Sequence, residues 1–379
     1  MVPEPNPLKS DPGYRAAFGP VWRAVLRDYR AGEGHRARAR LGFLTPPKGR
    51  GRVVWIKAGA GPDSLRLGVE LLGAVRDRRR DVRVVLTFEE DDPALLARLL
   101  QSWPRVGIGY GPCDRPRVVT RVLDRFQPCG IIVAESTPPE NLLRRTLAPV
   151  AVVGGAAAVP VAAAWPLSAA DRAGWQETGQ AGELMPAADP QARFAEAQAD
   201  VVLRSLTGAG ERRLWWWHGT AAQWPAWLEA WQAWPSSGDD ILMVSLEGGA
   251  YPPEAALKVS AWDRSSLPGG TLLHVDDPRW YAAAASAAHG VHLAYPGRDV
   301  LWQALAAGSA LSLGVQADVD GLPVALLPAP AGVTGHWQEL RGDEALRRRR
   351  GDATRRRFWD ERRQVDANLT ALMDRVWMW

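Results

Sequence analysis

Two carboxylates stand where apolar runs break into turns. "WIKAGAGPDSLRLG" (55–68) reads as a strand, a glycine-rich turn and the first turns of a helix, with Asp63 at the junction. A loop built only to cradle phosphate offers amides and a cation, and a carboxylate beside it repels the ligand. Asp63 is therefore either the cap of the helix that begins "SLRLGVELL" or a base that takes a proton from a hydroxyl. Glu135 ends the apolar run "IIVAE". Open α/β sheets place working residues at the carboxyl ends of their strands, so Glu135 is expected near Asp63, orienting a substrate or the base itself. Its plainer readings are a solvated strand end or a partner for an arginine. Lys57, six residues before Asp63, could neutralise an anionic ligand or pair with Asp63.

A second group falls late in the chain. "YPGRDVLWQ" (295–303) puts Gly297 and Arg298 before a helix, a seat for phosphate through helix-end amides and a cation. "WHGTAAQW" (217–224) is another strand–glycine–helix turn, carrying His218 and Thr220. His218 is either a structural histidine or a base. "GIGYG" (107–111) mimics half a dinucleotide fingerprint but lacks the following helix and acidic residue. Cys113 and Cys129, the two cysteines, fit neither a disulfide framework nor metal-ligand spacing, and no His/Cys/carboxylate cluster suggests a metal.

These residues need a frame. "RVVWIKA" (52–58), "DVRVVLTF" (81–88), "RVGIGYGP" (105–112), "GIIVAES" (130–136) and "APVAVVGGAAAV" (148–159) are strand-like, with amphipathic helical runs between the earlier ones. The alternation resumes with "RRLWWWHG", "ILMVSLEGG", "GTLLHVDD", "GVHLAYPG" and "SALSLGV", after the poorly periodic, Ala/Gly/Pro-rich stretch 162–191. Strands alternating with helices predict parallel, doubly wound sheets. The fold expected is α/β: two doubly wound Rossmann-like domains facing across a cleft. A closing helix over about 353–377 carries Phe358, Val365, Leu369, Leu372 and Val376 on one stripe, and its arginine runs read as a solvated face.

The 379 residues suit two domains, and no apolar run reaches membrane-spanning length. The N-terminus lacks a signal-peptide layout, which makes the cytoplasm the expected compartment. Net charge is +4, and its cations are overwhelmingly arginine, a bidentate binder of phosphate and carboxylate. Nucleic-acid binding would rest on the arginine runs alone and is not expected. In "YRAAFGPVWRAVLRDYRAGEGHRARARLG" (14–42), Phe18, Val21, Trp22, Val25, Leu26 and Tyr29 recur at helical spacing opposite arginines. Such a helix either packs on a domain or lies on an anionic membrane surface.

Taken in order, several stretches resemble the 3-deoxy-D-manno-octulosonic acid (Kdo) transferases, two-domain GT-B glycosyltransferases of lipopolysaccharide synthesis. The opening helix and Arg-Leu-Gly are similar to the family's start, and "WIKAGAGPDS" aligns without a gap on its Trp-Ile-His-Ala-x-Ser-x-Gly-Glu. "YGPCD" (110–114) resembles Tyr-x-Pro-x-Asp, "DRFQPCGIIVAESTPPENLL" (124–143) the strand ending in Glu-x-Glu-x-Trp-Pro-Asn-Leu, and "GRDVLWQALAAGSALSLG" (297–314) the last glycine turn and helix. The resemblance implies an inverting, metal-independent transfer from CMP-Kdo or a related nucleotide sugar, with no cofactor, to a lipid A-type or other lipid-linked acceptor. It implies Asp63 and Glu135 as catalytic, Lys57, Asn141 and Asp114 on the acceptor side, and His218, Thr220, Gly297, Arg298 and Gln303 on the donor side. It also implies peripheral contact with the inner face of the cytoplasmic membrane.

The departures are substantial. Asp63 is a methylene shorter than the family's Glu, Thr137 replaces the second acid after Glu135, "SLEGG" (245–249) replaces Pro-Arg-His, and Gln303 stands for the donor-helix Glu. They favour an alternative, a degenerate GT-B protein that binds glycan or scaffolds. The division expected is a membrane-facing segment (1–45), an acceptor-side domain (46–165), a linker (166–195), a donor-side domain (196–352) and a C-terminal helix (353–379).

Overall fold

The computed structural model describes residues 11–379 apart from 101–104, 197–202, 204–211, 248–249, 251, 253, 255–256, 264 and 318–320. The first ten residues of the expected membrane-facing segment, and the end of "SLEGG", therefore lie outside the described residues. The chain forms two units, Met1–Pro190 with Gln364–Trp379, and Gln191–Arg363.

Unit 1 is built on six parallel strands in the order β3-β2-β1-β4-β5-β6: β1 Val53–Ala58, β2 Arg83–Phe88, β3 Val106–Tyr110, β4 Pro128–Ala134, β5 Val150–Val153 and β6 Ala163–Trp165. β1 is buried along its whole length, which is why "VVWIKA" is apolar on both faces except at Lys57. One face packs under helix α3 (Pro62–Arg78) through Leu65, Leu71, Leu72 and Val75, and the other around Trp55, Val119 and Phe126. The latter two lie on α5 (Pro116–Phe126), whose neighbour in chain order is α4 (Pro93–Leu100).

The N-terminal run is two helices, α1 (Phe18–Arg30) and α2 (Gly34–Arg40), broken where Gly32 turns at φ +79°. Its apolar residues do not form a single stripe. Val21 and Val25 are buried with Ala37, Cys113 and Val118, while Phe18, Trp22, Leu26 and Tyr29 are exposed. The stretch expected as a linker, 166–195, holds helix α7 (Ala169–Thr178), capped by Ser168, and lies in unit 1 up to Pro190. A further helix, α6 (Glu140–Arg145), precedes β5.

Unit 2 carries seven parallel strands in the order β13-β12-β11-β7-β8-β10-β9. They are β7 Leu214–Gly219, β8 Ile241–Leu246, β9 Leu257–Lys258, β10 Leu272–His274, β11 Gly290–Leu293, β12 Leu311–Leu313 and β13 Ala325–Leu326. The helices named below are α8 (Trp224–Ala233), α9 (Tyr281–Ala287), α10 (Arg298–Ala307), α11 (Pro330–Gly342) and α12 (Glu344–Met378). Trp215, Trp217, Trp224, Trp227, Trp231, Trp234 and Trp337 fill one face of the sheet. Trp337 lies at its centre, its ring 4.9 Å from Trp215 and 5.1 Å from Trp227.

Helix α12 starts nine residues before the expected 353, because the arginine run and Gly351 continue it rather than end it. A Cβ at Gly351 would lie 2.4 Å from the Gly308 carbonyl oxygen, so the helix approaches there only as glycine. From Gln364 onward α12 belongs to unit 1, where Val365, Leu372, Met373 and Val376 enter the core.

Candidate functional site

In unit 1 the order of strands reverses at β1, which lies between β2 and β4; the carboxyl ends there form the crevice in which such sheets bind ligands. Three turns meet at that edge. After β1, the Ser64 hydroxyl accepts from the Gly59 amide (2.7 Å) and donates to the Ala134 carbonyl at the end of β4 (2.6 Å). Gly59 is obligatory: a Cβ would lie 2.8 Å from the Glu135 carbonyl oxygen and 3.0 Å from Ser136 Cα. After β4, Glu135 is buried and held at φ +43°, a conformation that costs a non-glycine residue on the order of 1 kcal/mol and persists where its surroundings over-determine it.

Asp63 does not cap α3. The cap position is Gly61, at φ +95°, with Pro62 first in the helix and Asp63 in its first turn. An acidic residue in the first turn is favourably placed with respect to the helix dipole. The Gly61 amide, which a phosphate loop would offer to ligand, donates to the Glu90 carboxylate (3.0 Å). The turn is thus closed to phosphate by its own chain.

Lys57 does not pair with Asp63. Its buried ammonium donates to Glu89 Oε1 (2.9 Å) and to the Ser136 hydroxyl (3.2 Å). Glu89 is the site residue that sequence reasoning missed. It is buried, its Oε2 accepts from the Asp11 amide (3.1 Å), its own amide donates to the Gly59 carbonyl (3.2 Å), and its carbonyl accepts from Arg36 (3.2 Å). The run Glu89–Asp92 after β2 reads as a solvated loop, yet Glu90 holds Gly61 and Asp92 caps α4 through the amides of Ala94 and Leu95. The one available signal was position, directly after a buried strand beside the strand carrying Lys57.

Asp114 and Asn141 are engaged with each other. The Asp114 carboxylate accepts from the amides of Asn141 and Leu142 (both 3.0 Å), and the Asn141 side chain donates to the Asp114 carbonyl (2.7 Å). Burial nevertheless pushes the Asp114 carboxyl up, against those bonds and the charge of Lys57. The pair caps α6 and anchors it to the turn after β3. Beneath lies Arg40, fully buried, donating to Asp28 (2.7 Å) and Asp11 (2.8 Å) with its guanidinium 3.9 Å from the centre of the Tyr14 ring.

At the corresponding edge of unit 2, β7 lies between β11 and β8. Ser245 accepts from the Trp216 indole N–H (3.0 Å) and shares a hydrogen bond with His218 Nδ1 (2.8 Å). Burial depresses the His218 pKa to about 4, leaving the ring neutral. The Thr220 amide and hydroxyl both donate to Gln223 Oε1, at 2.9 and 3.1 Å, which knits the turn before α8. Gly297 is the N-cap of α10 at an ordinary φ of −62°, followed by Arg298 and Asp299 in the first turn. The Gln303 side chain, further along α10, accepts from the Glu196 amide (3.4 Å). Among the described residues, no group of three or more His, Cys, Asp or Glu is placed to hold a metal.

Residues 35–156 match the sequence model of the 3-deoxy-D-manno-octulosonic-acid transferase (kdotransferase) family. The match lies within unit 1. The match takes in the Asp63 turn, "YGPCD" and the Glu135 strand, and it ends inside unit 1. Comparison with the curated proteins finds no match.

Among solved structures, the chain is similar to one described as a UDP-N-acetylglucosamine 2-epimerase from Listeria monocytogenes. Identity is 11% and the TM-score 0.60, over 86% of this chain and 97% of that one. The UDP-GlcNAc 2-epimerase of Neisseria meningitidis, bound to UDP-GlcNAc, gives 8% identity and a TM-score of 0.54, over 85% of this chain and all (100%) of that one. The glycotransferase of kitacinnamycin gives 13% and 0.51, over 87% and 100%. At such identities the likeness establishes the fold, shared by nucleotide-sugar epimerases and glycosyltransferases. The Kdo-transferase match is the more specific finding, and it covers the stretch that holds Asp63.

Proposed function

We propose that the chain is a glycosyltransferase that moves Kdo or a related acidic sugar from a CMP-activated donor to a lipid-linked acceptor of lipid A type. The acceptor hydroxyl oxygen bonds to the anomeric carbon as the bond from that carbon to the CMP phosphate oxygen breaks. CMP leaves with the bonding pair, and Asp63 takes the hydroxyl proton. Glu135, buried and conformationally constrained at the neighbouring strand end, orients the acceptor or the base.

The observation that carries this reading is the position of Asp63. It lies within the Kdo-transferase match, in the first turn of α3 at the strand-order reversal, on a turn whose Gly61 amide is already taken by Glu90. An acid in that position suits proton abstraction rather than phosphate binding. Contact with the inner face of the membrane belongs to the same reading and is supported by Phe18, Trp22, Leu26 and Tyr29, exposed on α1 among Arg23, Arg27 and Arg30. No helix among the described residues is long and apolar enough to cross a membrane.

The test is transfer from CMP-Kdo to a lipid A-type acceptor by the wild-type chain and by Asp63→Ala. Transfer that vanishes in the variant at an unchanged melting temperature supports Asp63 as the base. Wild-type protein that neither transfers nor is stabilised by CMP moves the reading to a glycan-binding or scaffolding protein. One observation favours that second reading. Asp299 in the first turn of α10 opposes a phosphate there, and the side chains of Thr220 and Gln303 are spent on their own unit.

A further inference from the structure

We propose that Glu89 is the positioning residue of the Asp63 turn, an inference that rests on the transferase reading above. From within, the turn is held by the Ser64 hydroxyl on the Gly59 amide, but its cap position is glycine, which supplies no side chain, and Gly61 takes a left-handed φ that an unrestrained chain leaves readily. Its place is fixed by what the neighbouring strand ends supply.

Glu89 supplies part of this, beside Glu90 on the Gly61 amide and the Ala134 carbonyl on Ser64. Its amide fastens the Gly59 carbonyl, and one carboxylate oxygen fastens the Lys57 ammonium, which in turn donates to Ser136 beside Glu135. The other oxygen receives the Asp11 amide, so the segment leading into α1 is tied to the same carboxylate. Its side chain therefore ties the end of β1 at Lys57 to the end of β2 and reaches the turn after β4 through Lys57 and Ser136, while its backbone amide holds Gly59, four residues before Asp63. A base displaced by about 1 Å can lose on the order of a hundredfold in rate, so a tether of this kind acts on turnover more than on binding.

The test separates positioning from plain stabilisation. Removing one partner of a buried ion pair strands the other charge, whereas replacing both by apolar groups is often neutral for stability. We compare Glu89→Gln with the double variant Lys57→Met/Glu89→Leu. The readouts are the melting temperature, kcat and KM for CMP-Kdo and the lipid A-type acceptor, and amide hydrogen exchange over residues 57–66.

In Glu89→Gln, kcat is expected to fall by about 10–100-fold with KM within about threefold, and exchange across the turn to rise about tenfold. The double variant should regain the melting temperature while kcat stays low and exchange stays fast. Recovery of kcat together with the melting temperature overturns the proposal, because the pair would then be only structural. So does Glu89→Gln with unchanged kcat and exchange. Should the single variant fail to fold, the double variant decides alone, wild-type exchange and turnover counting against the proposal. If the wild type does not transfer, it is the transferase reading that fails. The exchange comparison still stands: a faster turn in a folded variant supports Glu89 as its tether, and an unchanged turn overturns it.

Discussion

At the edge of the unit 1 sheet the buried polar groups are charged and matched in sign, Lys57 with Glu89 and Arg40 with Asp28 and Asp11. At the equivalent edge of unit 2 they are neutral: His218, Ser245 and the Trp216 indole satisfy one another by hydrogen bonds alone. Both edges lie at the strand-order reversal of a parallel sheet, so architecture does not make the difference. Charges taken out of water must be paired and held in place, and a set of tethered ion pairs defines one geometry. The His218 ring lies against Trp216 and Tyr281, while the seven-tryptophan cluster packs the other face of the same sheet, contributing burial and shape with little demand on charge. Unit 1 gathers paired charges at this edge; unit 2 gathers neutral groups there and tryptophans on one face of its sheet.

The sharpest way to break this contrast is at Asp63. Asp63→Ala should lower transfer by about 10²–10⁴-fold, the usual worth of a positioned base, with the melting temperature unchanged. Equal loss of transfer from His218→Ala would erase the distinction between the two edges. Next in size is Trp337→Ala, which removes the ring shared by Trp215, Trp227, Trp231 and Trp234. Urea unfolding should show a loss of about 3–5 kcal/mol confined to the transition of unit 2.

Gly59→Ala puts a methyl against the Glu135 carbonyl oxygen and should cost about 1–3 kcal/mol, measured by the same unfolding, together with transfer. Loss of stability with full transfer would detach the turn from the chemistry.

Acidification should separate the units by a different route. Burial is the leading cause holding His218 and His336 at about 4 and His289 and His292 at about 3. All four are in unit 2, whereas unit 1 contains the single histidine His35. Their folded pKa values lie below the ordinary 6.5, so the unfolded chain binds more protons as the pH falls. Their stabilising contribution is complete above about 6.5 and is lost progressively towards 4 and then 3. At about pH 5, hydrogen-exchange protection, taken relative to the intrinsic rate at that pH, should therefore fall in β7, β11 and α11 before it does in β1 and β4. The smallest effect is expected from Asp114→Ala, which uncaps α6 and should cost about 1 kcal/mol by thermal melting.

The frame was legible because it rests on local patterns. "RVVWIKA" and "LWWWHG" are apolar at every step because parallel strands are covered on both faces, and the helices between them show their stripes. Ala163–Trp165 and α7 were not legible, since a three-residue strand in an alanine- and glycine-rich stretch has neither alternation nor β-branched residues. The position of Asp63 could be read from its strand and turn. Its tether could not: Lys57 and Glu89 are 32 residues apart, and an acidic run after a strand looks the same whether it is solvated or buried. The split of the apolar residues on α1 into a buried and an exposed set likewise depended on what packs beneath them.

A Cβ at Gly130, on β4, would fall 1.8 Å from the indole of Trp379, while Arg79 donates to the carbonyls of Val376, Trp377 and Trp379 and pairs with Asp81. The residues that close unit 1 are thus synthesised after the whole of unit 2. A nascent chain can build most of the first sheet early, but Val365, Leu372, Met373 and Val376 reach its core only when synthesis has passed Arg363. Until then the face of β4 that receives Trp379 stands uncovered, and the two units mature in the reverse of the order in which they begin.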